Sequence, residues 1–468
     1  MSQSRFGAFE EFVLARMAET HLPSVAVAAV ERGETVYARG FGMRDIERSL
    51  PATPRTRYGI GSITKSFTCV ALLQLQEQGR LRLDDPVERY LPVTVRPFGE
   101  PIRLHHFMTH SSGLPALAYA EAIIRHGAGA SDRYLPMGGY EDMLTFVNGA
   151  GEWVYAPPGE RWFYLNEGYV LLGAVIERVA GEPYADYVHR HILEPLGMRR
   201  SSFVAEPAGD DETATPYVIT KDKEQRPSRY LNGRLGSDGG LISSAEDMTA
   251  YLRMLLGGGR ANGAAILTPA SLRAMAGRYV ALPQEAYPAA EPAPIGHYGY
   301  GLNTYPGFFG HEMIGHGGAV LVSTAHLAFI PDRQIGVIVL ANGTGYALAH
   351  VAAFALAAML GEDPWQLPGL RLERTLQQLE GRYETYQGAY GGTVTRAGDF
   401  LLLKFENKLL SQTVPLVPLD LDPARPRFFT LALGRRLLVD FHVGPGGVDV
   451  IYERYRMRRV GNISPGSA

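Results

Sequence analysis

The stretch that decides how this chain folds and what it does is Gly59-Ile60-Gly61-Ser62-Ile63-Thr64-Lys65, followed by the apolar run 66–73. On a helix, positions i and i+3 share one face, so Ser62 and Lys65 are expected to touch. The chain has only 5 lysines among its 45 basic residues. Lysine can lose its proton when desolvated and arginine cannot, and a serine hydroxyl needs a base to become nucleophilic. The stretch therefore predicts an activated serine at the start of a buried helix, although serine also caps helices routinely.

Composition excludes several functional classes. With 468 residues the chain is too long for one ordinary core, which predicts two or more domains. A net charge of −3 and a pI near 6.5 do not favour nucleic acid or a charged membrane surface as a partner. Residues 1–22 lack the pattern of a secretory signal, the apolar run 351–360 is too short to span a bilayer, and Cys69 is the single cysteine. We therefore expect a cytoplasmic protein without a membrane partner.

The order of the predicted elements indicates an α+β domain over residues 1–361. A hairpin is predicted at 25–40, a helical insert at about 84–230, and strands at 319–331 and 334–342, so that one sheet joins both ends of the domain. Residues 362–370 are rich in proline and glycine and are predicted to form a linker. Residues 371–468 begin with a short helix at 371–379 and continue with short strands at 388–395, 400–405, 428–433, 437–442 and 448–457, which predict a small antiparallel sheet or barrel.

Two later segments carry chemically capable residues. Residues 155–169 place Tyr164 and Asn166 two apart, just before a predicted helix. Residues 311–319 place His316, Gly317 and Gly318 at the start of the strand predicted at 319–331. Taken alone, Tyr164 is more often a core aromatic than a catalytic group.

Together, the three motifs resemble those of the penicillin-recognising serine hydrolases, namely Ser-x-x-Lys, then Tyr-x-Asn, then a Lys- or His-based triplet that ends in glycine. The stretches 107–115 and 237–248 resemble the family's "LLTHTSGLP" and "GGL-ST-DL" segments, and the resemblance covers residues 5 to 360. It implies a β-lactamase/transpeptidase-like fold, as in class C β-lactamases, penicillin-binding proteins and CubicO-type peptidases and esterases. The segment 381–390 that opens the tail resembles a lipocalin-like domain found in some of these proteins.

The resemblance also implies roles for individual residues. Ser62 would form an acyl-enzyme, with either Lys65 or Tyr164 as the base. Asn166 would hydrogen-bond Lys65 and a substrate amide. The N–H groups of Ser62 and Ala319 would stabilise the oxyanion, and Gly317 and Gly318 would let a substrate lie along the strand edge. His316 replaces the lysine of many relatives, so its attraction for a substrate carboxylate is expected to be weaker.

We therefore expect a hydrolase that acts through Ser62 on ester or amide bonds of small molecules or short peptides. The leading expectation is a peptidase or an esterase. Whether a peptidase would be specific for D-residues is left open. The alternatives are a β-lactamase or D-Ala carboxypeptidase, an acyltransferase, and a non-catalytic penicillin-binding or sensing protein. No cofactor is expected. No metal is expected either, because His105, His106, His110 and His311 lack ligand spacing and are assigned to the surface or to packing. A homo-oligomer is left open.

Overall fold

The structure, a computed structural model, describes residues 3–203, 212–230, 236–284 and 295–462. These residues form two compact units. The first unit contains the described residues up to Glu362, and the second begins at Asp363.

The helices and strands are numbered in chain order. The α-helices are α1 (Gln3–Thr20), α2 (Thr64–Glu77), α3 (Leu104–Met108), α4 (Tyr119–Gly127), α5 (Tyr140–Asn148), α6 (Asn166–Ala180), α7 (Tyr184–Val188), α8 (Glu194–Leu196), α9 (Ala245–Leu256), α10 (Pro269–Met275), α11 (Leu348–Leu360) and α12 (Pro368–Leu379). The strands of the first unit are β1 (Ser24–Glu31), β2 (Glu34–Asp45), β3 (Leu50–Pro51), β4 (Arg57–Gly59), β5 (Tyr217–Ile219), β6 (Gln225–Pro227), β7 (Ile242–Ser244), β8 (Arg260–Ala261), β9 (Ala264–Ala265), β10 (Val280–Ala281), β11 (His297–Tyr298), β12 (Asn303–Phe308), β13 (His311–Ala319), β14 (Thr324–Ile330) and β15 (Ile335–Ala341). The strands of the second unit are β16 (Gly381–Glu384), β17 (Gly391–Ala397), β18 (Phe400–Glu406), β19 (Ser411–Asp420), β20 (Arg427–Ala432), β21 (Arg435–Gly444), β22 (Gly447–Tyr452) and β23 (Tyr455–Gly461).

A nine-stranded antiparallel sheet organises the first unit. Its order is β10-β11-β12-β13-β14-β15-β1-β2-β3, so the two ends of the unit's sequence meet where β15 pairs with β1. The predicted α+β fold, with one sheet that joins both ends, is confirmed. The predicted hairpin is also present, and its turn residues Arg32 and Gly33 both have positive φ values, of 50° and 82°. A two-residue turn of this kind matches the right-handed twist of the strands that it connects.

The centre of this sheet is covered on both faces. Every residue of β15 is buried, as are the first seven residues of β1, and α9 and α11 pack against this region. The helical insert between the sheet segments contains α3 to α8, and α2 is buried from Thr64 to Leu75. This helix is therefore buried inside the unit, and the Ser62 stretch lies directly before it.

The position of the glycine-rich triplet differs from the prediction. Residues 311–319 themselves form β13, and β14 begins only at Thr324. The strand predicted at 319–331 is present as β14 but begins five residues later, and His316-Gly317-Gly318 lies at the end of the preceding strand rather than at the start of this one. Glycine has a low strand propensity, so the composition of this segment concealed the strand.

The second unit is a closed barrel in which each strand pairs with the next and β16 pairs with β23. Up-and-down barrels of eight strands are the architecture of lipocalins, so the predicted all-β domain is confirmed. Its interior is filled by side chains, among them Tyr383, Leu401, Phe428 and Phe441.

Four details of the second unit were predicted wrongly. Strand β19 was missed because Pro415 and Pro418 argue against a strand, and β16 was also missed. The predicted strand at 448–457 is a hairpin of β22 and β23. The helix predicted to begin at Arg371 begins at Pro368, inside the predicted linker 362–370.

None of the helices in the described part of the chain combines the length and the apolar character that crossing a bilayer requires.

Candidate active site

Ser62 lies in a tight turn directly before the buried helix. Residues Gly61–Ile63 form a 3₁₀ turn, and α2 begins at Thr64. Gly61 has a φ of 51°, which favours glycine. Residues i and i+3 eclipse in a 3₁₀ turn, and Lys65 Nζ lies 3.0 Å from Ser62 Oγ. The predicted contact of serine and lysine is present, and Ser62 remains partly exposed while Lys65 is buried.

Lys65 has three hydrogen-bond partners. Besides Ser62 Oγ, its Nζ lies 2.8 Å from Asn166 Oδ1 and 2.6 Å from the backbone oxygen of Asp238. Both of these oxygens only accept, whereas a hydroxyl can accept or donate. A charged ammonium can therefore donate to all three oxygens. A neutral amine can donate to Asn166 and Asp238 and turn its lone pair toward the Ser62 proton, so the same geometry serves both states of a proton carrier.

The ring of Tyr164 covers this lysine. Lys65 Nζ lies 4.8 Å from the centroid of the Tyr164 ring, and Tyr164 is half-buried. Within the described residues its hydroxyl has no hydrogen-bond partner. The Tyr164 ring is thus held beside Lys65 Nζ, and its hydroxyl is available to a substrate.

His110 is a residue whose part in this site the sequence analysis missed. Its backbone oxygen accepts from Phe163 N–H at 2.7 Å, and its Nδ1 accepts from Leu165 N–H at 2.9 Å. Its ring lies 4.1 Å from that of Tyr164. Burial, with the charge of Lys65 as the second cause, lowers the pKa of His110 far below its usual value, so the ring is a neutral acceptor. His110 therefore holds the backbone on both sides of Tyr164; its place in the family-like stretch 107–115 was the available signal.

We expect His110→Phe to lower turnover about tenfold, because it keeps a ring beneath Tyr164 but leaves Leu165 N–H without its acceptor. His106→Phe is the matched control. His106 is also buried and neutral, and it accepts from Arg103 N–H, away from Tyr164. Both variants should lose thermal stability, and only His110→Phe should lose kcat. Equal kcat losses in the two variants would contradict the positioning role.

The end of β13 lies against the Ser62 turn. A Cβ added to Gly318 would lie 1.9 Å from Ile60 O and 3.2 Å from Ser62 N, and one added to Gly61 would lie 2.8 Å from Ala319 N. Glycines at both positions therefore allow the two backbones to approach closely. The N–H groups of Ser62 and Ala319, which were predicted to bind an oxyanion, belong to these two adjoining segments.

His316 is buried and fully hydrogen-bonded. Its Nδ1 lies 2.6 Å from Gly317 O and its Nε2 lies 2.9 Å from the Tyr298 hydroxyl. A carbonyl oxygen only accepts, so Nδ1 carries the proton and Nε2 accepts from Tyr298. Burial, followed by the charge of Lys65, lowers the pKa of His316 to about 3. The ring is therefore neutral near pH 7 and offers no positive charge to a substrate carboxylate.

Two buried acidic residues lie near the site, and their carboxyl groups hydrogen-bond to Tyr119 rather than to Ser62. Asp238 Oδ2 accepts from the Tyr119 hydroxyl at 2.7 Å, and Glu167 Oε1 accepts from Tyr119 N–H at 3.0 Å. Burial raises the pKa of both carboxyl groups. Glu167 thus joins the start of α6 to the start of α4. The described residues contain no cluster of side chains suited to a metal ion.

Comparison with known proteins shows the family of the first unit. A model described as "Beta-lactamase" matches residues 9–360.

The chain belongs to the β-lactamase family.

A second model, described as "Pab87 octamerisation domain", matches residues 364–458 of this β-lactamase-family chain.

Curated relatives cover different shares of the chain. A D-aminopeptidase from Gluconobacter oxydans is 29% identical over 82% of this chain and 67% of its own length. A putative penicillin-binding protein, PbpX, from Bacillus subtilis is 31% identical over 49% of this chain and 54% of its own length. The chain thus spans about two thirds of the first relative and about half of the second.

Solved structures extend the likeness to both units. The octameric penicillin-binding protein homologue from Pyrococcus abyssi is 41% identical, with a TM-score of 0.90 over 96% of this chain and 99% of its own. The penicillin-binding protein from Bacillus halodurans is 24% identical, with a TM-score of 0.59 over 75% of this chain and 99% of its own. The second likeness shows the fold alone, whereas the first covers the barrel as well.

Proposed function

We propose that this protein is a serine hydrolase that forms an acyl-enzyme on Ser62 and cleaves amide or ester bonds of small substrates, with a short-peptide peptidase as the leading activity. The observation that carries the proposal is the triple contact of Lys65 Nζ with Ser62 Oγ, Asn166 Oδ1 and Asp238 O. This contact supports Lys65 as the acceptor of the Ser62 proton, because its Nζ lies 3.0 Å from Ser62 Oγ.

The proposed reaction proceeds in two stages. The Ser62 proton moves to Lys65 or Tyr164 while Oγ attacks the carbonyl carbon, and the N–H groups of Ser62 and Ala319 bind the oxyanion. The tetrahedral intermediate collapses, and the leaving amine or alkoxide takes the proton. Water then attacks the acyl carbon and gives a proton to the same base; the acyl–Oγ bond breaks, the base returns that proton to Ser62 Oγ, and the acid is released. Each stage returns the base to its starting state.

The neutral state of His316 favours one substrate class. A site that recognises a carboxylate, as β-lactams and D-Ala carboxypeptidase substrates require, gains from a fixed positive charge. His316 supplies none near neutral pH. A peptidase that does not depend on a free carboxylate, or an esterase, fits this site better. The D-aminopeptidase relative supports the peptidase side of this choice.

Intact-mass spectrometry with three probes tests the proposal: a fluorophosphonate, a fluorescent penicillin and p-nitrophenyl butyrate. We expect a fluorophosphonate adduct and ester turnover without a stable penicillin adduct. A stable Ser62-dependent penicillin adduct would instead indicate a penicillin-binding enzyme with slow deacylation. No adduct with any probe would support a non-catalytic binding protein. Adding an alcohol or amine acceptor and measuring the product separates an acyltransferase from a hydrolase.

We also propose that the protein is a homo-oligomer assembled through one end of the barrel. In an up-and-down barrel, the β16–β17, β18–β19 and β20–β21 loops lie at the same end. These loops carry Tyr386, Leu409 and Leu433, and Leu409 is 91% exposed. Large apolar side chains clustered at one end of a small domain mark an interaction surface. The octamerisation-domain match and the octameric homologue support the same conclusion.

The double substitution Leu409→Asp/Leu410→Asp should reduce the molar mass in solution, because it places two charges in this apolar surface. Size-exclusion chromatography with light scattering measures the change. The control is Leu438→Asp, which places a charge on the barrel wall at an exposed leucine of β21. If the double variant keeps the parent's mass, the barrel end is not the interface.

A further inference from the structure

A cavity of about 470 Å³ lies beside the Ser62 turn in the first unit. Its lining includes Gly59, Asp238 and Gly239 on one side and Val320 on another. A Cβ on Gly239 would lie 3.6 Å from the Gly61 carbonyl carbon, and Val320 follows Ala319 directly. The cavity therefore adjoins both backbone segments that would bind the oxyanion. Its volume is in the range of small-molecule sites.

Most of the side chains that line this cavity are apolar, and Tyr119, Tyr230 and Asp238 are the polar ones among the described lining residues. The side chains that give it this character are Ile123, Ile124, Met137, Phe203, Val320 and Val322. Asp238 is the one charged residue among the described lining residues, and its Oδ2 already accepts from the Tyr119 hydroxyl. An acidic substrate group would face this carboxyl, whereas an alkyl or aromatic group would replace water against the apolar walls.

The residues that line the cavity indicate which side of the scissile bond it would bind. The leaving group needs a proton from Lys65 or Tyr164, so it must lie near the Tyr164 ring. The residues around that ring, Trp162, Tyr298 and His316, are absent from the described lining of the cavity. The acyl group is the part of the substrate that remains bonded to Ser62, next to Gly239 and Val320.

We propose that this cavity selects substrates with an apolar group on the acyl side of the scissile bond, such as an N-terminal residue with an aliphatic or aromatic side chain. The inference rests on the proposed function, since it needs an acyl-enzyme at Ser62. Each methylene that enters an apolar cavity improves transition-state binding by up to about fourfold. The specificity constant should therefore rise with the length of the acyl chain.

The test uses p-nitrophenyl acetate, butyrate and hexanoate, which share one leaving group and differ only in the acyl chain. For the parent protein, kcat/KM should rise by about tenfold or more from acetate to hexanoate. Ile124→Trp fills the cavity and should lower kcat/KM for hexanoate by at least about tenfold, while acetate stays within about twofold. Arg125→Trp is the matched control, because Arg125 is the next residue of α4, is exposed and lies outside the lining of the cavity. This variant should keep the parent's kcat/KM for both acetate and hexanoate. Ile124→Ser is a second variant, and it should weaken the chain-length preference without filling the cavity.

The outcomes separate this inference from the function on which it rests. If Ser62→Ala keeps ester turnover, the proposed function fails. If turnover depends on Ser62 but kcat/KM does not rise with acyl length, the cavity does not bind the acyl group. Equal losses on acetate and hexanoate in Ile124→Trp, with the parent's thermal stability retained, would overturn the inference in the same way.

Discussion

Replacing Ser62 by alanine is expected to abolish covalent labelling and to lower kcat by at least about 10⁴-fold, the scale seen when a serine hydrolase loses its nucleophile. Ser62 is partly exposed at a tight turn, with Lys65 Nζ at 3.0 Å. Removing its oxygen removes the atom that would form the acyl bond, while the remaining contacts of Lys65 with Asn166 and Asp238 keep the lysine in place. The fold should therefore survive the change.

Intact mass after fluorophosphonate treatment and the rate of p-nitrophenol release measure this effect. Ser411→Ala is the control, because Ser411 is an exposed serine of the barrel. It should label and turn over like the parent protein. Full activity in Ser62→Ala would contradict an acyl-enzyme at this residue.

Lys65→Arg should lower kcat by about 10² to 10⁴-fold, the contribution of a general base, although it keeps the positive charge. Arginine stays protonated in proteins and cannot accept the Ser62 proton. It is also longer and planar, whereas the lysine site is buried and offers three oxygens at 2.6 to 3.0 Å around one nitrogen.

The matched control is Lys221→Arg, which makes the same change at an exposed lysine of the first unit. Pre-steady-state release of p-nitrophenol separates slow acylation from slow deacylation. An active Lys65→Arg enzyme would exclude Lys65 as the proton acceptor and leave Tyr164 as the base. In that case Tyr164→Phe should show the large loss instead.

Much of the fold followed from local patterns. The strand predicted at 334–342 differs from β15 by one residue at each end, because its apolar run and the turn before it are contained in the sequence itself. The strand β13 was missed because its five glycines and histidines do not look like a strand; pairing with β12 and β14 stabilises it. Likewise, barrel closure stabilises β19 despite its two prolines.

The candidate site also combines features that the sequence could predict with features that it could not. The Ser62–Lys65 contact was predictable, since both residues belong to one helical turn. The role of His110 was not, because it depends on hydrogen bonds to Phe163 and Leu165, more than fifty residues away. The charge of His316 was expected to be partial, and the structure makes the ring neutral through burial and through the nearby Lys65.

The sequence by itself determined the nucleophile candidate, its lysine partner, the α+β unit and the all-β tail. These features depend on residue spacing, apolar periodicity and motif order, which act over a few residues or along the chain. Only the tertiary structure decided which other distant groups meet: the backbone oxygen of Asp238 at Lys65, His110 beneath Tyr164, and the cavity beside Ala319. Burial, hydrogen-bond pairing and cavity shape arise when segments far apart in the sequence pack together, and no local pattern specifies that packing.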